Sequence, residues 1–477
     1  MQRVLADHEW PLFDVAATRR IEQQAASMLP PHALMDRAGL ATARLALAIA
    51  PHARSVWIAC GRGNNGGDGL EAAVHLAQWG KAVTVTLAGS PERLPPDAAA
   101  ALARFRGAGL AISSMPPQDW DLCVDALLGI GVTRPLDGAI ADAARTINAA
   151  ARTVLSVDIP SGLDADTGQG ASVSATHTLT LLACKPGLFT GRGRDATGAC
   201  WFDDLGVQPA VAPTALLGGR PPSTDRPHAS HKGSFGDVAV IGGAPGMAGA
   251  AVLAASAALH AGAGRTYLCA LDPAAAPLVA GQPELMTRDW RALPLQGMSV
   301  ACGCGGGTAI TAALPDILSR TRDLVLDADA LNAVAADEAL QAAVRERAGL
   351  GLHTVLTPHP LEAARLLGTT AGDVQADRLR SARKLADELA CVVVLKGSGT
   401  VIAAPGRTPV INPTGNARLA TGGTGDVLAG LIAARLAGGV TAFDAAAAAV
   451  HQHGRVADEW GKASALTAGG LARRLAP

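Results

Sequence analysis

Aromatic side chains are scarce in this chain of 477 residues, where seven Trp, six Phe and one Tyr amount to 3% of the sequence. A core so poor in rings has to be filled by aliphatic residues, and 55 glycines point to helices packed by close backbone approach. Charge of one sign is missing too. Lys and Arg number 40 against 41 Asp and Glu, giving a net charge of -1 and a pI near 6.9. That balance removes the basic footprint that nucleic acid or an acidic membrane surface requires, so neither is expected as a partner. The eight cysteines, at 60, 123, 184, 200, 269, 302, 304 and 391, form no CxxC pair. Reduced thiols in a cytoplasmic enzyme fit best, and the CGC at 302 to 304 lacks the neighbouring ligands of a metal site. The opening MQRVLADHEW breaks the apolar core that an export signal needs. No charged residue occurs between Asp237 and Arg265, but Pro245 and several glycines divide that run into a strand, a turn and an Ala-rich helix rather than a membrane span. GxxxxGKS is absent as well, which excludes an ordinary P-loop.

What is present begins with TGGTGDVLAG at 421 to 430, two glycine pairs and an aspartate before an apolar helical run. Backbone N–H groups at such a helix start point at an anion, and glycine lets a phosphate come close. Asp426 either caps the helix or takes a proton from a hydroxyl that attacks a phosphoryl group. Lys396, at the end of the run CVVVLKG, supplies a point charge for phosphate. His359 in TPHP either caps backbone groups or meets substrate.

Length and 49% hydrophobic content predict two or three globular domains. The stretch 206 to 230 is rich in proline and small residues without a sustained period, and reads as a linker. On each side, short β-branched runs alternate with Ala/Leu-rich stretches, the pattern of a mostly parallel sheet covered by helices. Strands are expected at 55–60, 82–88, 122–127, 153–160 and 176–183, then at 237–243, 265–271, 324–329, 353–359, 391–397 and 399–404. No fixed-period repeat appears.

In the first half, Gly61, Gly63 and Gly66 satisfy GxGxxG after a strand, but no acid closes the next strand to hold a ribose. Asn64, Asn65 and Asp68 add side-chain acceptors, so the loop is suited to a cation as well as an anion, or is an Asx-rich turn. Asp125, Asp158 with Ser161, and Lys185 all stand at strand carboxyl ends, where open α/β sheets bind ligands. Pro160 in DIPSG is expected to fix the turn that presents Asp158 for proton transfer.

The set NNGGDG, DALLGIG, VDIPSGLDADTG and KPG, in that order, resembles the NAD(P)H-hydrate epimerase family over residues 1 to about 210. The resemblance implies a potassium ion held by Asn65, Asp125 and Ser161. It implies hydrated NADH or NADPH lying along Asn64, Asn65, Gly66, Gly67 and Asp68, then along Gly129, Ile130, Gly131, Val132, Thr133, Arg134 and Pro135, and against Asp158. Asp36 stands where that family usually has Glu, and Ile130 where it has Thr.

From about 228 to 473, HKGSFGDVAVIGG, LVLDADALN, LTPHPLEA, LKGSGTV and TGGTGDVLAG resemble the ADP-dependent NAD(P)H-hydrate dehydratase family, whose fold is similar to ribokinase. This implies an adenine nucleotide at Lys396, Gly397, Ser398, Gly399, Thr400 and Gly425, and the hydrate at Ala250, Gly305, Gly307, His359 and Asp426. ADP would be the phosphoryl donor, with magnesium. The family usually shows GPGLG where this chain has GCGGG at 303 to 307, and the lost proline is expected to loosen that loop.

The expectation is therefore an α/β protein of two domains: a Rossmann-like parallel-sheet domain at 1–210, a linker at 211–227, and a ribokinase-like α/β domain at 228–477. Its small-molecule partners would be the hydrated cofactor and an adenine nucleotide, and it would act as a cytoplasmic homo-oligomer. Asp158 and Asp426 are the expected catalytic residues. Two other functions stay open at this point: a small-molecule kinase with a regulatory first domain, which would retain its phospho-product, and a first domain that only binds nucleotides or proteins.

Overall fold

A computed structural model describes residues 1–477 apart from 132–134, 223–225, 273, 275–280 and 462. Three of the expected substrate contacts, Val132, Thr133 and Arg134, lie outside the described residues. The chain divides into two compact units, one formed by Met1–Leu5 and Trp10–Leu217, the other by Ala6–Glu9 and Gly218–Pro477.

The first unit carries an eight-stranded sheet. Its strands run in the order Gln2–Arg3, Ala199–Asp203, His177–Leu181, Thr153–Val157, Leu122–Ala126, Ser55–Gly61, Ala82–Ala88 and Ile112–Ser113. All pairings are parallel except the one made by Gln2–Arg3. The order reverses between Ser55–Gly61 and Leu122–Ala126, and this switch leaves a crevice at the carboxyl ends of those two strands. Two core clusters cover the two faces, one led by Ile58, Leu70, Phe105 and Val124, the other by Trp57, Trp120, Cys123 and Val154.

The second unit repeats this logic. Its strands run in the order Met286–Thr287, Arg265–Ala270, Asp237–Gly242, Ser299–Cys302, Asp323–Leu326, His353–Leu356 and Val392–Leu395, all parallel, and then Val401–Ala403 and Val410–Ile411, both antiparallel. The switch lies between Asp237–Gly242 and Ser299–Cys302. The charge-free run resolves into strand Asp237–Gly242 and helix Ala248–His260, and among the described residues no helix is long and apolar enough to cross a membrane.

Several elements differ from the sequence expectation. Strand Ser299–Cys302 was not foreseen although it is central, because SVAC is short and lacks the β-branched or aromatic run that marks a strand. Ala199–Asp203 was missed as well. Within the segment read as linker, Ala215–Leu217 forms a short strand antiparallel to Trp10–Leu12.

Helix packing follows from the small side chains. Helix Thr424–Ala437 crosses helix Ala248–His260 so closely that a Cβ built on Gly430 would overlap the Ala254 carbonyl oxygen. Alanine raises intrinsic helix propensity by about 1 kcal/mol over glycine, but backbone overlap cannot be relieved by a rotamer change. Gly430→Ala is therefore expected to destabilise the second unit by about 1–3 kcal/mol, seen as a lower urea midpoint. Gly349→Ala, with nothing within 4 Å of its Cβ position, should leave that midpoint unchanged or raise it.

Candidate active sites

The segment NNGGDG, expected as a loop, forms the first turn of helix Asn64–Gln78, capped by Gly63. Glycines that would weaken a helix interior are tolerated in this turn because it lies against strand backbone: a Cβ on Gly66 would overlap the Gly61 carbonyl oxygen. Unpaired N–H groups of a first helical turn and the side chains of Asn64, Asn65 and Asp68 thus share one end of the helix. Beside it lies a cleft of about 690 Å³, lined among others by Glu22, Asn64, Asn65, Asp68, Gly129, Ile130, Gly131, Pro135, Asp158 and Lys185.

Asp125 ends its strand fully buried. Its Oδ1 accepts from Ser161 Oγ at 2.6 Å, and its Oδ2 accepts from Ser156 Oγ at 2.8 Å and the Ser161 N–H at 2.9 Å. Burial pushes its carboxyl up, opposed by the Ser161 and Ser156 hydrogen bonds. Asn65 is also buried, and both polar atoms of its amide lack a hydrogen-bond partner. A buried amide without a partner, a buried carboxylate and a serine hydroxyl are each ligand types suited to a hard cation.

Asp158 stands just before a turn that begins at Pro160, whose carbonyl accepts from the Leu163 N–H at 3.0 Å. The left-handed residue is Asp158 itself, at φ 67°, ahead of Pro160. A non-glycine residue there is strained, and the strain is held by the Asp158 N–H bond to the Leu179 carbonyl and by an ion pair with Lys185. Lys185 is 1% exposed and also donates to the Leu181 carbonyl at 2.8 Å and Thr180 Oγ1 at 3.2 Å. A Cβ on Gly129 would stand 3.3 Å from Asp158 Oδ2 and 3.4 Å from the Asn65 Cβ, so these three positions adjoin. Burial, then Asp158, raises the Glu22 carboxyl, and the same causes carry Asp68 well above the usual range. Acids of unequal proton affinity in one cleft are equipped to take up a proton and return it. Glu22 was missed: a single glutamate on the amphipathic helix Val15–Met28 gives no sequence signal. Asp36 lies apart from the cleft lining and accepts from Arg104 at 2.9 Å.

In the second unit, strand Asp323–Leu326 delivers Asp327, strand Val392–Leu395 delivers Lys396, and Gly423 caps helix Thr424–Ala437, whose first turn holds Gly425 and Asp426. Lys396 Nζ donates to Asp327 Oδ1 at 2.7 Å, and Thr357 Oγ1 donates to the same oxygen at 2.8 Å. A Cβ on Gly425 would lie 3.3 Å from Lys396 Nζ. Burial opposes the charge on Lys396, but Asp327, Glu362 and Cys304 carry its pKa up. Burial, reinforced by Asp327, pushes the Asp426 carboxyl up to about 6. A carboxylate poised near neutrality, beside a lysine and amide donors, can deprotonate a hydroxyl next to a phosphate.

The GCGGG loop is tied to its neighbours by hydrogen bonds. Gly303, Gly305 and Gly307 all have positive φ, Gly305 O accepts from Ala244 N at 2.7 Å, and Gly307 N donates to Asp329 Oδ2 at 2.8 Å. A Cβ on Gly305 would meet the Ala250 Cβ at 3.0 Å, so those two positions adjoin. Buried Arg378 steadies the Lys396–Gly397 turn, donating to the Leu395 and Lys396 carbonyls, and Thr400 Oγ1 donates to the Gly397 carbonyl at 3.0 Å. His359 does cap: its Nδ1 accepts from the Leu361 and Glu362 N–H groups, while Nε2 stands 3.3 Å from Glu362 Oε1. The ring also senses Lys396 and Asp327, so the cap borders the same crevice. Asp327, Glu362 and Cys304 were not foreseen as site residues. Asp327 was within reach of the strand-end rule that picked out Asp158.

Fold and sites define a fusion of two α/β units, one with a carboxyl-rich cleft and one in which a lysine–aspartate pair meets a glycine-rich helix start. The family model described as NAD(P)H-hydrate dehydratase matches residues 238–476, and that described as YjeF-related protein N-terminus matches residues 31–187. The chain is 38% identical over 461 residues to the bifunctional NAD(P)H-hydrate repair enzyme Nnr of Escherichia coli K12, covering 92% of this chain and 88% of that one. It is 36% identical to the bifunctional NAD(P)H-hydrate repair enzyme of Leishmania braziliensis, covering 96% and 90%. A solved structure, the ADP/ATP-dependent NAD(P)H-hydrate dehydratase of Bacillus subtilis co-crystallised with ATP/Mg2+, is 30% identical with a TM-score of 0.45, covering 53% of this chain and 91% of that one. The chain belongs to the bifunctional NAD(P)H-hydrate repair enzyme family.

Removing one member of a buried ion pair strands the other, at a cost of about 3 kcal/mol. Lys185→Met is expected to lower the stability of the first unit by about that amount in chemical denaturation, and the double variant Asp158→Asn/Lys185→Met to recover part of it.

Proposed function

We propose that this enzyme repairs NADH and NADPH hydrated on the nicotinamide ring, with residues 1–210 as the epimerase domain, 211–227 as the linker and 228–477 as the ADP-dependent dehydratase domain. The first domain interconverts the R and S hydrates. Asp158 moves the proton at the hydrated carbon, and the first turn from Asn64 to Asp68, with the Gly129 to Pro135 segment, holds the nucleotide. Asn65, Asp125 and Ser161 would hold a potassium ion, a role supported by the orphaned Asn65 amide; the ion would add positive charge near the substrate phosphates. All eight cysteines are buried and unpaired, which supports a reducing compartment and hence the cytoplasm.

The second domain removes water from the S hydrate. Hydroxide is a poor leaving group, so Asp426 takes the proton of the ring hydroxyl as its oxygen attacks the terminal phosphoryl group of ADP, forming the phosphate ester and AMP. Lys396 and the amides at the start of helix Thr424–Ala437 hold the transferring phosphoryl group. Magnesium accompanying the nucleotide would supply further charge on its phosphates. The ring nitrogen lone pair then expels orthophosphate, and loss of the adjacent ring proton restores the reduced cofactor. The single observation that carries this reading is the meeting of Asp426, Asp327 and Lys396 at the start of that helix.

With mixed hydrates, ADP and magnesium, full recovery of reduced cofactor with orthophosphate release is expected; a retained phospho-product would instead mark a kinase. Asp158→Asn should return only the S fraction quickly, with the R fraction following at the spontaneous rate; full fast recovery would overturn the role of Asp158. Asp426→Asn should lower turnover of the S hydrate by about a hundredfold or more. Because the base acts only when ionised, the rate in the unaltered enzyme should rise with pH through about 6 and then level off. Burial also disfavours that ionised form, so the Asn variant should be more stable than the parent at neutral pH, measured by thermal unfolding.

A further inference from the structure

The Cys304 thiol has no part in the chemistry above, although the glycine loop sets it against the base. Cys304 follows strand Ser299–Cys302 and is fully buried. Its carbonyl is tied to the Gly243 N–H at 2.9 Å, between glycines at φ 111° and 57°, so the backbone that carries the thiol is fixed. Its Sγ and the carboxylate oxygens of Asp327 and Asp426 all lie within 4.8 Å of one another. At that separation the thiol is within reach of Asp426, and since an ionised carboxylate has no proton to give, sulfur is the only possible donor of the two.

We propose that Cys304 is a positioning residue for the dehydration base: its S–H donates to the Asp426 carboxylate, fixes the orientation of that group at the helix start, and favours its ionised form. The inference rests on Asp426 being the base. Three observations agree with it. Burial, followed by Asp426 and Asp327, pushes the Cys304 thiol well above its ordinary range, so the sulfur keeps its proton and remains a donor. Asp426 is itself held up by burial and by Asp327, so a donor that opposes this shift keeps the carboxylate usable near neutrality. A short donor on a rigid loop adds orientation at little entropic cost.

The groups around Asp426 come from several elements. Asp327 and Lys396 stand at strand ends, Asp329 opens helix Asp329–Ala336, and Glu362 and His359 sit at the start of helix Pro360–Leu367. His453 of helix Ala442–Asp458 bonds the Thr424 carbonyl at 2.9 Å, with burial taking its pKa down to about 4, so it is neutral across the working range. Helix Ala248–His260 turns Leu253 towards Gly423. Of these, Lys396 and Cys304 favour the ionised carboxylate, and Lys396 is already engaged by Asp327.

The test is the pH dependence of kcat/KM for S hydrate and ADP in Cys304→Ala, Cys304→Ser and the parent, with Asp426→Asn alongside. Cys304→Ala should move the acid limb up by about half a pH unit, so that the rate at its foot falls about threefold while the alkaline plateau changes less. Cys304→Ser, which keeps an O–H donor, should return the limb to the parent position. If Cys304→Ala lowers the rate equally at every pH, or leaves the profile unmoved, the thiol is only packing and the inference fails. Should Cys304→Ala not fold, a Cys304→Ser profile coincident with the parent supports the donor role, and one displaced upward by half a unit or more refutes it. Asp426→Asn with near-normal turnover would sink the underlying assignment instead, and is read separately.

Discussion

Both units depend on the same electrostatic arrangement, a carboxylate at the carboxyl end of a parallel strand countered by a lysine from the end of a later strand. In the first unit Asp158 follows Thr153–Val157 and meets Lys185 beyond His177–Leu181. In the second, Asp327 follows Asp323–Leu326 and meets Lys396 beyond Val392–Leu395. Removing such charges from water costs several kcal/mol per ion, so neither member is tolerable alone. The strand order places the partners close enough to compensate. Each sheet reverses its order once; in the first unit the pair and the glycine-rich helix start line one cleft, and in the second Lys396 lies beside Gly425 at the helix start.

The scarcity of aromatics has a structural consequence that reaches the sites. With little bulk available, helices approach backbone to backbone, as Gly430 does against Ala254, and as Gly39 does in helix Ala33–Ile49 against Glu71 of helix Asn64–Gln78. Such contacts leave little freedom to slide or rotate. Helices Asn64–Gln78 and Thr424–Ala437, whose first turns carry Asn64 and Asn65 in one and Gly425 with Asp426 in the other, are pinned in this way. Packing and chemistry are therefore set by the same residues.

Much of this was legible in the sequence because it follows short-range rules. A Gly-rich segment before an apolar run marks a helix start, and acids or lysines after β-branched runs mark strand ends, so the places of Asn64 to Asp68, Asp125, Asp158, Lys396 and Asp426 in the fold could be read from sequence pattern. What escaped depends on tertiary context. Ser299–Cys302 is a strand because two neighbours pair with it, not because SVAC prefers to be one. Glu22 matters through a cleft assembled from distant segments. The left-handed backbone at Asp158, held by Leu179 and Lys185, gave no sign in the sequence beside the turn at Pro160. Cys304 drew notice only as half of a CGC pair, and its neighbour Asp426 is more than a hundred residues away.

The helix start at Gly423 poses a contest that magnitudes decide. A helix N-terminus stabilises a nearby carboxylate by about 0.3–1 kcal/mol, less than one pKa unit, which is worth about 1.36 kcal/mol. Acting alone it would make Asp426 a weaker base than a free aspartate. Burial and the facing Asp327 act in the opposite direction and win, leaving the carboxyl near 6. A weaker base would accept a hydroxyl proton poorly, and one pushed much higher would be protonated at neutral pH. The positive helix end is therefore not what sets Asp426: the acid that borders it owes its proton affinity to desolvation and to a neighbouring carboxylate.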